Sequence, residues 1–196
     1  MKKSLVVLIS ILVLLAIIIG YGISTNNKMI NADEAVMSQW AKVENQYQRR
    51  ADLIPNLVNT VKGYASHEKE TLDAVVNARA KATQVTISPD NLNEASLQKY
   101  QAAQGELSQA LGRLLMVTEN YPDLKANQNF LELQAQLEGT ENRISTERTR
   151  YTDMVRDYNA MIRRFPASII AGIGGFDKKP QFTAEAGAEK APEVKF

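Results

Sequence analysis

Residues 36–64 read VMSQWAKVENQYQRRADLIPNLVNTVKGY, and one set of positions in this stretch recurs at alternating steps of four and three: Val36, Trp40, Val43, Tyr47, Arg50, Ile54, Leu57, Val61 and Tyr64. Every member but Arg50 is apolar or aromatic. That spacing is the mark of a helix laying one seam along its neighbours. Pro55 lacks a backbone donor and predicts a kink, but the stripe keeps its phase on both sides of it, so helix one runs through.

The same rhythm continues downstream. A second, shorter stripe holds Leu72, Val76, Arg79 and Thr83, entered through Ser66 as N-cap with Glu68 in the first turn. Ser88-Pro89-Asp90-Asn91 is a turn signal that ends the following segment. A third stripe, Leu97, Tyr100, Gln104, Leu107, Leu111, Leu114, Thr118 and Tyr121, stops at Pro122. The fourth runs from Phe130 through Leu133 or Gln134, Leu137, Glu141, Ile144, Arg148, Tyr151, Val155, Tyr158 and Ile162 to Phe165, before Pro166. No strand pattern competes. Four helices with short connections predict an all-α body, an antiparallel up-and-down four-helix bundle.

Upstream lies LVVLISILVLLAIIIGYGI, residues 5–23, behind Met1-Lys2-Lys3. A helix needs roughly 20 apolar residues to cross a bilayer, whereas a secretory signal has a shorter apolar region and a small-x-small cleavage site. Gly20-Tyr21-Gly22 and Gly22-Ile23-Ser24 fit such a site only loosely, so the length favours a retained transmembrane anchor over a cleaved signal. Lys2 and Lys3 before the span, against Lys28 behind it, place the body outside the cytoplasm by the positive-inside rule, with a cytoplasmic body as the alternative. The chain thus divides into an anchor, residues 1–26; a helical body, 27–165; and an apolar segment with a flexible tail, 166–196.

Composition narrows the chemistry. The net charge is +1, and between Lys28 and Arg164 there are 17 Lys/Arg against 18 Asp/Glu. A neutral body with mixed signs offers no basic face for nucleic acid. With no cysteine, disulfides, thiolate metal sites and cysteine catalysis are excluded. His67 is the sole histidine, beside Glu68 at a helix start, and two groups do not make a metal site. No serine has an elbow motif or a base near it, and Gly172, Gly174 and Gly175 follow no strand, so no phosphate loop is expected. The tyrosines (Tyr47, Tyr64, Tyr100, Tyr121, Tyr151, Tyr158) read as seam packing. An enzyme would have to work with Glu, Asp and Arg alone, so no catalytic residue, metal or cofactor is expected.

Five polar residues fall in phase with the apolar seams: Arg50, Arg79, Gln104, Glu141 and Arg148. With helices one and four antiparallel and Tyr64 level with Phe130, all five cluster at one height, with Arg50 within a turn of Glu141. Isolated buried charge is too costly to persist, so a paired layer that fixes register is expected, and an anion or ligand site inside the bundle is the rival reading. In the same register Phe165 returns to the membrane level. There the segment ASIIAGIGGF, residues 167–176, offers Ile169, Ile170, Ile173 and Phe176 as candidate membrane-surface contacts, or else as packing at the bundle base. Beyond Asp177 the Ala, Glu, Lys and Pro content reads as disordered or loosely docked, with Val194 and Phe196 as a short terminal docking motif.

Residues 39–65, QWAKVENQYQRRADLIPNLVNTVKGYA, with His67-Glu68 behind them, closely resemble the signature of the LemA family. The likeness continues in Ala78-Arg79, Tyr121-Pro122-Asp123-Leu124-Lys125-Ala126, Glu141-Asn142-Arg143-Ile144, Arg150-Tyr151, Tyr158-Asn159, Phe165-Pro166, Gly175-Phe176 and Pro192-Glu193-Val194-Lys195-Phe196. The resemblance implies a membrane-anchored antiparallel four-helix bundle and carries over no catalytic residue. Together these readings point to a non-catalytic helical scaffold or adaptor in the cell membrane. It would organise or recruit other envelope components, with the lipid bilayer and other membrane or envelope proteins as partners. A ligand- or stress-sensing bundle is the alternative.

Overall fold

The computed structural model describes residues 2–88 and 91–183, and its regular secondary structure is all helical, without strands among the described residues. The elements are α1 (Lys2–Tyr64), α2 (Lys69–Gln84), α3 (Glu94–Thr118), the single turn α4 (Pro122–Lys125), α5 (Gln128–Arg163) and α6 (Ala167–Gly174). Pro89, Asp90, Val194 and Phe196 lie outside the described residues.

Helix α1 is a single element of 63 residues that passes through Pro55. At 1.5 Å per residue it is about 95 Å long. Its N-terminal portion is apolar and outward-facing along its whole length, from Leu5 to Ile23, and is long and apolar enough to cross a membrane. The polar portion carries the seam into the body without a break in the helix. Val36, Trp40, Val43, Tyr47, Arg50, Ile54, Leu57 and Val61 are all buried, whereas Tyr64, at the last turn, is half exposed.

Helices α1 and α5 are antiparallel neighbours: Asn127 donates to the Tyr64 hydroxyl at one end, and Gln39 donates to the Glu147 carboxylate farther down. Helix α2 packs on α1 and α3. On α5 Phe130, Leu137, Ile144, Tyr151, Val155, Tyr158 and Ile162 are buried, but Phe165 is 82% exposed because the chain turns into α6 there.

Two details of α2 depart from the sequence reading. The buried residues are Leu72, Val75, Ala78 and Ala82, not Val76 and Thr83, and Val76 lies outward. A 3.6-residue period allows a step of three or four from Leu72, and the small seam residues Ala78 and Ala82 leave no hydrophobic mark in the sequence. Ser66 is not the N-cap. The helix begins at Lys69 with Glu68 in the cap position, and the Glu68 carboxylate instead accepts from the Tyr121 hydroxyl. Helix α3 is capped as a box, with Asn93 accepting from the Ser96 amide and the Ser96 hydroxyl accepting from the Asn93 amide.

The core is two apolar clusters stacked along the helices. The membrane-proximal one gathers Met29, Trp40, Tyr47, Tyr100, Ile144, Tyr151 and Ile162 among others. The distal one includes Ile54, Leu57, Leu72, Leu107, Leu114, Phe130 and Leu137. On each of three helices the residue at the division is polar: Arg50 between Tyr47 and Ile54, Gln104 between Tyr100 and Leu107, and Glu141 between Leu137 and Ile144.

Candidate functional site

Arg50 sits at that division and is 1% exposed. Its Nη1 donates to Glu141 Oε1 at 2.6 Å and to Ser108 Oγ at 2.8 Å. Its Nη2 donates to Gln104 Oε1 at 2.6 Å and to the Gln104 carbonyl at 3.3 Å. The Tyr47 ring lies beneath the guanidinium, 5.1 Å from the centroid. One cation from α1 is thereby held by α3 and α5 together. The planar fork makes this work, since two nitrogens can face two helices at once.

The other four polar seam residues are arranged around this centre. Gln104 is buried and also donates to the Ala82 carbonyl at the end of α2. Arg79 stands at the flank of α2, and its Nε donates to the Ala51 carbonyl at 2.7 Å, one residue from Arg50. Glu141 is half exposed at its outer edge. Arg148 borders the same small pocket, of about 100 Å³, as Arg50, Gln104 and Glu141. Its guanidinium lies 4.6 Å from the centroid of the Phe182 ring. Arg50 Nε is buried there without a hydrogen-bond partner among the described residues.

The tyrosines around the layer respond to burial. Removal from water raises the Tyr47 hydroxyl above its ordinary value, against the opposing pull of the Arg148 and Arg50 charges. Burial raises Tyr100 and Tyr151 in the same way, and carries Tyr158 up to about 12. All four are therefore neutral hydroxyls at physiological pH, and among the described residues the layer's cations have only Glu141 as a close ion-pair partner.

Sequence reasoning missed the strap. Residues 177–183, read from the sequence as disordered or loosely docked, lie back along α5 and over the membrane-proximal core. Asn159 clamps the Lys179 backbone from both sides, accepting from its amide at 3.0 Å and donating to its carbonyl at 2.9 Å. The Tyr151 hydroxyl donates to the Pro180 carbonyl, and Lys179 Nζ pairs with Asp33 at 2.9 Å. Phe182 then enters an aromatic cluster, 5.9 Å from the Trp40 ring and 5.3 Å from the Tyr151 ring. Trp40 in turn meets Tyr100 and Tyr151 edge to face. The only sequence signal for this docking is an isolated aromatic behind Pro180 in a polar tail. Ser108 was missed as well, being an unremarkable serine on α3.

The apolar segment is divided by its own helical turn. Ile170 and Phe176 pack against the membrane-proximal core beside the buried Ala171, whereas Ile169 and Ile173 face outward. Gly175 ends the helix in the left-handed conformation, φ +71°, and the Phe176 amide closes back on the Ala171 carbonyl. His67 is exposed in the turn before α2.

The chain is 24% identical over 185 residues to magnetosome protein MamQ 1 of Paramagnetospirillum magneticum, a match covering 86% of this chain and 68% of that one. It is 23% identical to magnetosome protein MamQ of Magnetospirillum gryphiswaldense over 97% of this chain and 76% of the other. Against protein LemA of Metamycoplasma hominis it is 20% identical, over 76% and 64% of the respective chains. The model of the LemA family matches residues 39–196, which takes in all of α2 to α6 and the strap. The chain belongs to the LemA family.

Proposed function

We propose that this protein is a non-catalytic scaffold or adaptor that stands in the cell membrane and organises or recruits other envelope components. In this reading α1, α2, α3 and α5 form an antiparallel up-and-down four-helix bundle on the extracytoplasmic side. The observation that carries the proposal is the continuity of α1. One helix is both the apolar span and the central seam of the body, so no linker decouples the body from the bilayer. A rigid mount suits a protein that presents a fixed surface at a fixed height. Neither the family's name nor the names of these relatives denotes an enzyme.

A second reading has its own support. The small pocket beside Arg50 Nε, which is buried without a hydrogen-bond partner among the described residues, has the charge and size for a compact polar ligand, which would make the body a sensor.

An amine-reactive cross-linker that does not cross bilayers, applied to intact cells stripped of outer barriers, tests the two. Reproducible capture of one or a few membrane proteins is expected. Capture that requires permeabilised membranes would reverse the orientation. No capture, together with saturable binding of a small anion that is lost in Arg50→Lys, would replace the scaffold with the sensor.

A further inference from the structure

The outward side chains after α5 form a surface with a definite neighbour. Phe165 is 82% exposed, Ile169 56% and Ile173 84%. Ile169 and Ile173 stand at i and i+4 on one face of α6, Phe165 projects outward from the turn just before the helix, and the opposite side of α6 is the one packed on the core. Three large apolar side chains held outward on a well-packed element need a reason.

Their position supplies it. Helix α6 packs against both α1 and α5. Phe165 and Arg164 border the same surface pocket as Tyr21, Thr25 and Lys28 of α1. A methyl group placed on Gly174 would come within 3.4 Å of Asn26 Oδ1. The segment therefore lies level with residues 21–28, at the point where the apolar run ending at Ile23 gives way to polar sequence. Lys28, Arg163, Arg164 and Lys178 are exposed around it and outnumber the acids there, Asp157 on the same pocket and Asp177 beside Lys178. An apolar face with a rim of mostly cationic side chains, at the end of a span and too short to cross, is the pattern of an interfacial element.

We propose that Phe165, Ile169 and Ile173 form an apolar shelf that inserts into the lipid interface beside the exit of α1, giving the body a second contact with the bilayer. This rests on α1 being the membrane span. Two contacts, one through α1 and one through α6, fix the tilt of the body, which a single helix leaves free. Ile170 and Phe176 belong to the packing that holds the shelf in place.

The chain has no cysteine, so single-site labelling of the full-length protein is clean. Phe165→Cys, Ile169→Cys and Ile173→Cys carry an environment-sensitive fluorophore, with Leu14→Cys as a span reference and Asn142→Cys as an exposed reference on the body. The proteins are reconstituted in vesicles of phosphatidylcholine and phosphatidylglycerol. Nitroxide attached near the top of the acyl chains should quench all three shelf labels, and iodide in the water should lose its effect on them, while Asn142→Cys shows the reverse. Shelf labels that behave like Asn142→Cys while Leu14→Cys is quenched by lipid would overturn the shelf and leave the span intact. A Leu14→Cys label open to iodide would overturn the span itself. Shelf labels shielded from both quenchers, with disulfides forming between copies, would mean that a second copy covers the face, and the proposal would fail.

Discussion

Arg50→Ala is expected to destabilise the full-length protein in detergent micelles by about 3–5 kcal/mol, the scale found when one partner of a buried ion pair is removed. This guanidinium donates four hydrogen bonds, to acceptors on α3 and α5. Their loss leaves the buried Gln104 side chain and Ser108 without their charged donor, and leaves a void between the two apolar clusters. Glu141→Ala should also cost about 3–5 kcal/mol, because it leaves the Arg50 charge, 1% exposed, with only neutral partners. The double variant should lose less than the sum of the two, since neither charge is then left without the other. Denaturant titrations of all four proteins read this directly, and strict additivity would mean that the pair contributes no coupling.

The second large effect is expected from the strap. Phe182→Ala removes a ring that contacts Trp40, Tyr151 and the Arg148 guanidinium together. A fully buried Phe→Ala costs about 3–5 kcal/mol, and the partial exposure of Phe182 brings the expectation to about 2–3 kcal/mol. Trp40 is the only tryptophan and is 2% exposed, so its emission reports the same event. It should shift to the red in Phe182→Ala and in a chain ending at Phe176. Unchanged emission and stability in both would mean that the strap rests on the body without closing it.

The seams of α1, α3 and α5 are legible because large apolar residues mark them at nearly every turn and the interruptions are charged. Arg50 and Glu141 stand out in the sequence because a charge at a seam position is conspicuous. Ser108 does not, since a serine looks the same on a seam flank as on a surface. In α2 the seam is built partly from alanine, whose burial leaves no periodic signal, and the reading slipped to Val76. The strap is invisible for a different reason. It is held by Asn159, Asp33 and Tyr151, groups that become neighbours only once α1 and α5 have paired, and an extended segment of seven residues has no periodicity to read. In α6 the helical period alone separates Ile170 from Ile169 and Ile173, but which side faces the core depends on where α1 passes.

The central claim is that bilayer and body share one unbroken helix. Spin labels at Ser24→Cys and Asn45→Cys, both outward positions on α1 flanking the junction, measure it in reconstituted full-length protein. A straight helix over these 21 residues gives a single narrow backbone separation of about 32 Å. A broad distribution, or a population much shorter than this, would show a hinge between span and body and contradict the rigid mount.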